Sequence, residues 1–232
     1  MTLVIAHRGL HEKDPENTLS SFRNAIKSKV PMIEFDIRLT KDKIPVVIHD
    51  RKLNRTTNGK GFVQNKTFEE LQKLKCKNET ISSLEQIIES FKKKTGFLIE
   101  LKDRQFLNEK NLKQVTNLIK ENKLYERVII SSFFPSILKK VKKLDKKIKV
   151  CCNMLYPFKI DKSFEFIAIY YITLNKKTIE KAHTRGKKVF AFPIDPKRKI
   201  PKEKLKEFLS AGIDGIITNY PKEVQKLLKT KT

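Results

Sequence analysis

The sequence predicts an α/β protein: a single (β/α)8 TIM barrel over residues 1–232, with a β-hairpin excursion after the second strand. Three observations lead there. Short, nearly continuous apolar runs alternate with amphipathic stretches, the pattern of βαβ units whose parallel sheet is covered on both faces. One neighbouring pair of runs, 32–37 and 45–49, is joined by only seven residues, 38–44. A parallel crossover needs about a dozen, so this pair is an antiparallel hairpin, and removing one member leaves eight strands. Eight such units occupy the chain from residue 3 to a last helix near residue 229, which leaves no length for a second domain.

The elements follow in order. Residues 3–7 (LVIAH) open the barrel, and Pro15 precedes a helical pattern over 20–29. The hairpin strands at 32–37 and 45–49 come next. The longest connection, 51–95, holds helical patterns at 68–74 and 83–92 and is short enough to leave the barrel mouth open. Strands are then expected at 96–102, 127–133, 148–153, 166–172, 188–194 and 215–218, and helices at 111–122, 135–144, 176–185, 202–211 and 222–229. Gly186 and Gly212 close two of these helices.

Composition narrows the class. With 39% hydrophobic and 33% charged residues, the chain reads as a soluble globular protein. The longest apolar stretch, 166–174, falls far short of the roughly 20 residues of a membrane span. The run after Met1 is too short and lacks the basic leader of a signal peptide. Three cysteines, two of them adjacent (Cys151 and Cys152), form no disulfide framework, so a reducing, cytoplasmic setting is expected. The net charge of +25 reads first as a lysine-rich solvated surface. The lysine runs carry no interleaved aromatics, so nucleic acid is not expected as a partner, while a weak attraction to anionic membrane surfaces stays open.

Barrels of this kind carry chemistry at the C-terminal ends of their strands, and the unusual residues of this chain fall there. Glu34 and Asp36 are two apart on a strand and therefore point to the same face, roughly 7 Å apart. Glu100 and Lys102 repeat the pattern. Three carboxylates aimed into one mouth repel one another unless protonated or neutralised, and a single divalent cation is the economical solution. All-oxygen ligation favours Mg²⁺, Ca²⁺ or Mn²⁺. His7 and His49, two of four histidines, both end strands and can supply a general acid and a general base. Arg8 and Lys102 bring positive charge to where a phosphoryl oxygen would sit. His11 lies near this group but no spacing argument favours it; His183 falls on a helix surface, and Cys151 and Cys152 read as core.

These blocks, His7-Arg8-Gly9, Pro15-Glu16-Asn17-Thr18, Glu34-Phe35-Asp36 and Pro45 through His49-Asp50, together resemble the glycerophosphodiester phosphodiesterase family. Arg55-Thr56-Thr57-Asn58-Gly59, Ser83-Leu84-Glu85, Glu100-Leu101-Lys102, the Ile130 to Phe133 block and the Gly215 to Pro221 block follow in the family's order, so the resemblance covers nearly the whole chain. It implies a metal-dependent hydrolysis of glycerophosphodiesters to sn-glycerol 3-phosphate and an alcohol. By the same resemblance Glu34, Asp36 and Glu100 look like the metal carboxylates and His7 and His49 like the acid–base pair. Arg8 and Lys102 would hold phosphate oxygens, with Glu16 and Asn17 shaping the first loop. The chain departs from the family late: it has no Trp, and Phe192-Pro193-Ile194-Asp195 stands where an aromatic-rich strand end is usual. Phe192 would then serve as the apolar wall beside the substrate.

Two rivals remain at this level. A lysophospholipase-D-like phosphodiesterase shares the first blocks, although no apolar docking loop is legible. A non-catalytic basic barrel that binds nucleic acid or anionic lipid is the other. The oligomeric state is not legible in the sequence.

Overall fold

Each apolar run forms a strand, with ends that match the expectation or differ from it by one or two residues. The structure, a computed structural model, describes residues 2–157, 161–195 and 198–229. Among these residues one sheet contains β1 (Leu3–His7), β2 (Met32–Leu39), β3 (Pro45–Val47), β4 (Gly96–Leu101), β5 (Val128–Ser132), β6 (Lys149–Met154), β7 (Phe166–Tyr170), β8 (Lys188–Phe192) and β9 (Gly215–Thr218). All but β3 run parallel, and β1 pairs with both β2 and β9, which closes eight strands into a barrel. β3 lies outside the ring, antiparallel to β2 with Val47 opposite Ile37, as the seven-residue link requires.

Helices α1 (Leu19–Lys27), α2 (Phe68–Gln72), α3 (Leu84–Phe91), α4 (Glu109–Glu121), α5 (Pro135–Leu144), α6 (Lys176–His183), α7 (Lys202–Ser210) and α8 (Pro221–Lys229), with short 3₁₀ turns at Val63–Asn65 and Arg104–Leu107, complete the described elements. None is long and apolar enough to cross a membrane. Thr18, Thr67 and Ser83 each close a capping box at the N-terminus of α1, α2 and α3. Thr18 is the last residue of the Pro15-Glu16-Asn17-Thr18 block, so this block both carries polar groups to the mouth and starts the first helix. The connection from β6 to β7, residues 155–165, carries no helix among its described residues. It contains Pro157 and lacks a 3.6-residue apolar period.

Alternation along the strands separates two apolar layers. Side chains pointing inward, among them Ile5, Leu98, Ile129, Ala168, Phe190 and Ile217, fill the barrel. Those pointing outward pack beneath the helices; Phe35 lies between Phe22 and Phe97, with ring centroids 5.4 and 5.8 Å away. A third cluster, including Val46, Leu53, Val63, Leu71 and Ile81, anchors the 51–83 segment on β3. The cysteines Cys76, Cys151 and Cys152 are all buried and unpaired, and His183 is tied to Asp214 at 2.8 Å, away from the mouth.

Phe35 is fully buried, and replacing it by alanine leaves a cavity in the outer layer. Phe35→Ala is expected to cost about 3–5 kcal/mol in chemical denaturation. A loss under 1 kcal/mol would show that the three-ring stack is not part of the stabilising core.

Candidate active site

The barrel interior changes character along its axis. On β2 the inward positions run Met32, Glu34, Asp36, and on β4 they run Leu98, Glu100. The strand register sets Asp36 beside Glu100 and Glu34 beside His7. Apolar filling thus gives way to three buried carboxylates at the C-terminal end, with oxygens that all lie within 4.8 Å of one another. Ser131, the neighbour of Glu100 on β5, is buried there with its Oγ making no hydrogen bond among the described residues.

Cations hold this group in place. Lys102 Nζ lies 2.8 Å from Glu100 Oε1 and 3.4 Å from Asp36 Oδ1. Arg8 Nε is 3.3 Å from Asp36 Oδ2, its Nη1 donates to Glu16 Oε1 at 2.9 Å, and its backbone N–H donates to Glu34 Oε2 at 3.0 Å. Asn17 Nδ2 donates to Asp36 Oδ2 at 3.0 Å. These contacts require a tight turn: Arg8 and Asn17 sit at φ 56° and 59°, and Gly9 at 84°. Left-handed backbone at a non-glycine residue is costly and is retained where function holds it. At Gly9 a Cβ would come within 2.9 Å of the Ser21 backbone, so only glycine fits.

Farther out, Arg55 bridges Glu16, at 2.7 Å, and Asp50, at 2.6 Å, and so ties the first loop to the segment after β3. Burial opposes ionisation of both acids, but the hydrogen bonds from Arg55 prevail and hold each at about 2. Asp36 overcomes its burial in the same way: Lys102 and Arg8 keep it far below the usual carboxylate range. At Glu34 the Arg8 charge and backbone N–H do not offset the opposing effects. Burial, then the charges of Asp36 and Glu100, push its carboxyl well above the ordinary value. Glu100 is also raised by burial, in spite of Lys102.

The charges do not balance. Glu16, Glu34, Asp36, Asp50 and Glu100 face Arg8, Arg55 and Lys102, an excess of two negative charges when all are ionised. A divalent cation would cancel this surplus, and three carboxylates offering all-oxygen ligation suit one. The residues present therefore fit the group expected from the sequence.

Both histidines are fixed through the same ring atom. His7 Nδ1 meets Asn219 Oδ1 at 2.7 Å, and His49 Nδ1 meets Asp50 Oδ1 at 2.6 Å. Each Nδ1 therefore carries the hydrogen and each Nε2 is left as the basic nitrogen. His7 Nε2 is 3.9 Å from Glu34 Oε2. Burial, reinforced by the Arg8 charge, lowers His7 to about 3; burial with Arg8 and Lys102 also lowers His49. His11 Nε2 lies 3.3 Å from the same Asn219 oxygen.

Across the mouth the lining is aromatic. Phe192 packs against Phe133 and Tyr170, with ring centroids 5.8 and 6.1 Å away, and Lys102 Nζ is 6.0 Å from the Phe133 ring. Beyond them Phe133, Leu155, Tyr156, Ile172 and Ile194 are exposed at the strand ends. These residues come from four separate strand ends, so no single loop showed them.

Comparison with known proteins shows the family. Residues 7–223 match the profile of the glycerophosphoryl diester phosphodiesterase family. The chain belongs to that family. It is 35% identical to the glycerophosphodiester phosphodiesterase of Caldanaerobacter subterraneus and 31% identical to that of Bacillus altitudinis, covering 98% of both chains in each case. Among solved structures, an Oleispira antarctica phosphodiesterase in complex with the product sn-glycerol-3-phosphate superposes with a TM-score of 0.87 at 26% identity, covering 99% of this chain and 97% of that one. A Parabacteroides distasonis glycerophosphodiester phosphodiesterase gives 0.84 at 28%, covering 99% and 98%. The protein is accordingly a phosphoric diester hydrolase of the glycerophosphodiester type.

The structure brings Glu16, Asn17, Arg8, His7, Glu34, Asp36, His49, Glu100 and Lys102 to one side of the mouth and Phe192 to the other. Asn219, Asp50 and Arg55 stand in the quoted blocks, but sequence reasoning gave them no role; a residue that orients another carries no periodic signal of its own.

Two outcomes follow for the charge network. Arg55→Ala should lower the melting temperature at pH 7. Depressed acids contribute stability that is present above about pH 4.5 and lost as pH falls towards 2. The variant should therefore lose less stability than wild type over that window, and thermal melts at pH 7, 4.5 and 2.5 check this. Glu34→Gln removes a destabilised carboxylate, so in EDTA its melting temperature should equal or exceed wild type by roughly 2–4 °C. A marked fall in EDTA would count against the charge surplus.

Proposed function

We propose that this protein is a divalent-cation-dependent glycerophosphodiester phosphodiesterase that releases sn-glycerol 3-phosphate, with His7 and His49 as its acid–base pair. The observation that carries the reading is the pair of imidazoles, each with Nδ1 committed to a side-chain oxygen and Nε2 open, beside a buried carboxylate triad in a site whose five acids outnumber its three cations by two. Glu34, Asp36 and Glu100 would hold the cation, Mg²⁺, Ca²⁺ or Mn²⁺, which when bound polarises a phosphoryl oxygen.

The chain's own residues do the remainder. Arg8 and Lys102 present guanidinium and ammonium groups to the non-bridging phosphoryl oxygens. One histidine accepts through Nε2 the proton of the attacking O–H group as the new P–O bond forms. The other delivers a proton to the alcohol oxygen as its bond to phosphorus breaks. Asn219 and Asp50 hold the two rings in the required tautomer, in the way that an orienting carboxylate serves a catalytic histidine. Glu16 and Asn17 fix the turn that carries Arg8. Phe192 with Phe133 and Tyr170 gives the substrate an apolar wall and keeps water away from that side. The unpaired, buried cysteines suit a cytoplasmic location.

Glycerol 3-phosphate release from glycerophosphocholine and glycerophosphoethanolamine should occur with at least one of the three cations and stop in EDTA. His7→Ala and His49→Ala should each lower kcat by about 10² to 10⁴ with an unchanged melting temperature. Turnover that persists in EDTA, or in either histidine variant, would remove that group from the mechanism.

A further inference from the structure

Large apolar side chains left in water are confined to one end of the molecule. Among the described residues six are exposed. Phe133 follows β5, Leu155 and Tyr156 follow β6, Ile172 follows β7, and Ile194 lies two residues past β8. These four strands are consecutive neighbours, so the five side chains form one arc around the C-terminal rim. The sixth, Phe62, belongs to the 51–83 segment that packs on β3. An apolar group of this extent at one end of a highly charged protein marks an interaction surface.

Basic groups stand on and beside it. Lys52 lies 5.4 Å from the exposed Phe62 ring, while Arg104, 5.2 Å from Phe134, and Lys199, 4.4 Å from Tyr220 and paired with Glu223, cover half-buried rings next to the arc. Beside Phe62 lies a cavity of about 250 Å³ lined by Arg38, Arg51, Arg104, Gln64, Gln105 and Asp103. Only Asp103 opposes three guanidinium groups. The Arg38 side chain is 8% exposed; its Nε donates to the His49 carbonyl at 2.7 Å and its Nη1 to Asp103. Its Nη2 makes no hydrogen bond among the described residues, and the Arg51 side chain has no partner among them. One guanidinium held by two hydrogen bonds, with the exposed guanidinium groups of Arg51 and Arg104 beside it, suits an oxyanion of phosphate type.

We propose that this face docks on an anionic phospholipid bilayer, with the apolar arc entering the head-group boundary and the arginine cavity taking a lipid phosphate. An aromatic and aliphatic rim mixed with Lys and Arg is the composition that anionic interfaces bind. An acidic protein partner would leave the arc of Leu155, Ile172 and Ile194 facing charge. The barrel mouth then opens towards the membrane surface.

Co-sedimentation with phosphatidylglycerol–phosphatidylcholine vesicles, compared with phosphatidylcholine alone, tests the proposal. Wild type should bind the anionic vesicles. Ile172→Ser/Ile194→Ser and Arg51→Ala/Arg104→Ala should each weaken that binding roughly tenfold. Lys120→Ala/Lys146→Ala, which removes the same charge at the opposite end, should bind as wild type. Ile172→Ser/Ile194→Ser should still hydrolyse glycerophosphocholine within about twofold, which reports that it is folded. The proposal falls if no vesicle binds, or if the Lys120/Lys146 variant weakens binding as much as the arginine variant, since charge alone would then account for it. It also falls if inorganic phosphate binds through Arg51 and Arg104 while vesicles do not, which would make the cavity a site for free phosphate.

Discussion

The crowding of five carboxyl groups, Glu16, Glu34, Asp36, Asp50 and Glu100, at the top of the barrel is the constraint to which the rest of the site answers. Carboxylates that share a water-poor space repel strongly, because little solvent screens them. The chain meets this with cations brought from three places: Arg8 on the end of β1, Lys102 on the end of β4 and Arg55 in the long connection. None of them neutralises Glu34. The costly backbone at Arg8 and Asn17 is intelligible in this light, since it carries one guanidinium and one amide into contact with Asp36. Packing alone would not need a left-handed arginine.

The same constraint divides the mouth. Strands β1, β2 and β4 with the segment after β3 supply every titratable group of the site, whereas β5 to β8 supply aromatic and aliphatic ones. Charge on one side and low polarity on the other is a productive pairing for phosphoryl chemistry. The apolar side lowers the local dielectric, which strengthens each electrostatic contact opposite it.

Much of this was legible in the chain because it is periodic. Apolar runs of strand length gave the eight-stranded ring, and the seven-residue link between 37 and 45 dictated the hairpin. Residues two apart on a strand share a face, so Glu34 with Asp36 and Glu100 with Lys102 announced themselves. What the sequence hid was convergence of single residues. Phe133, Leu155, Ile172 and Ile194 come from four strands and meet only when the barrel closes. Arg55 acts on Glu16 across 39 positions, which no spacing rule anticipates. His11 shares the Asn219 oxygen with His7 for the same reason, through a turn rather than a period.

The bond between His7 and Asn219 joins residues 212 positions apart, one at the end of the first strand and the other just past the last. It crosses the seam where the barrel closes, β1 against β9. Contacts of such separation carry the largest loop-closure entropy and contribute most to a high contact order. Orientation of the His7 ring is thus tied to completion of the fold. A chain lacking its final strand could assemble the carboxylates of β2 and β4 and still leave that imidazole free to rotate.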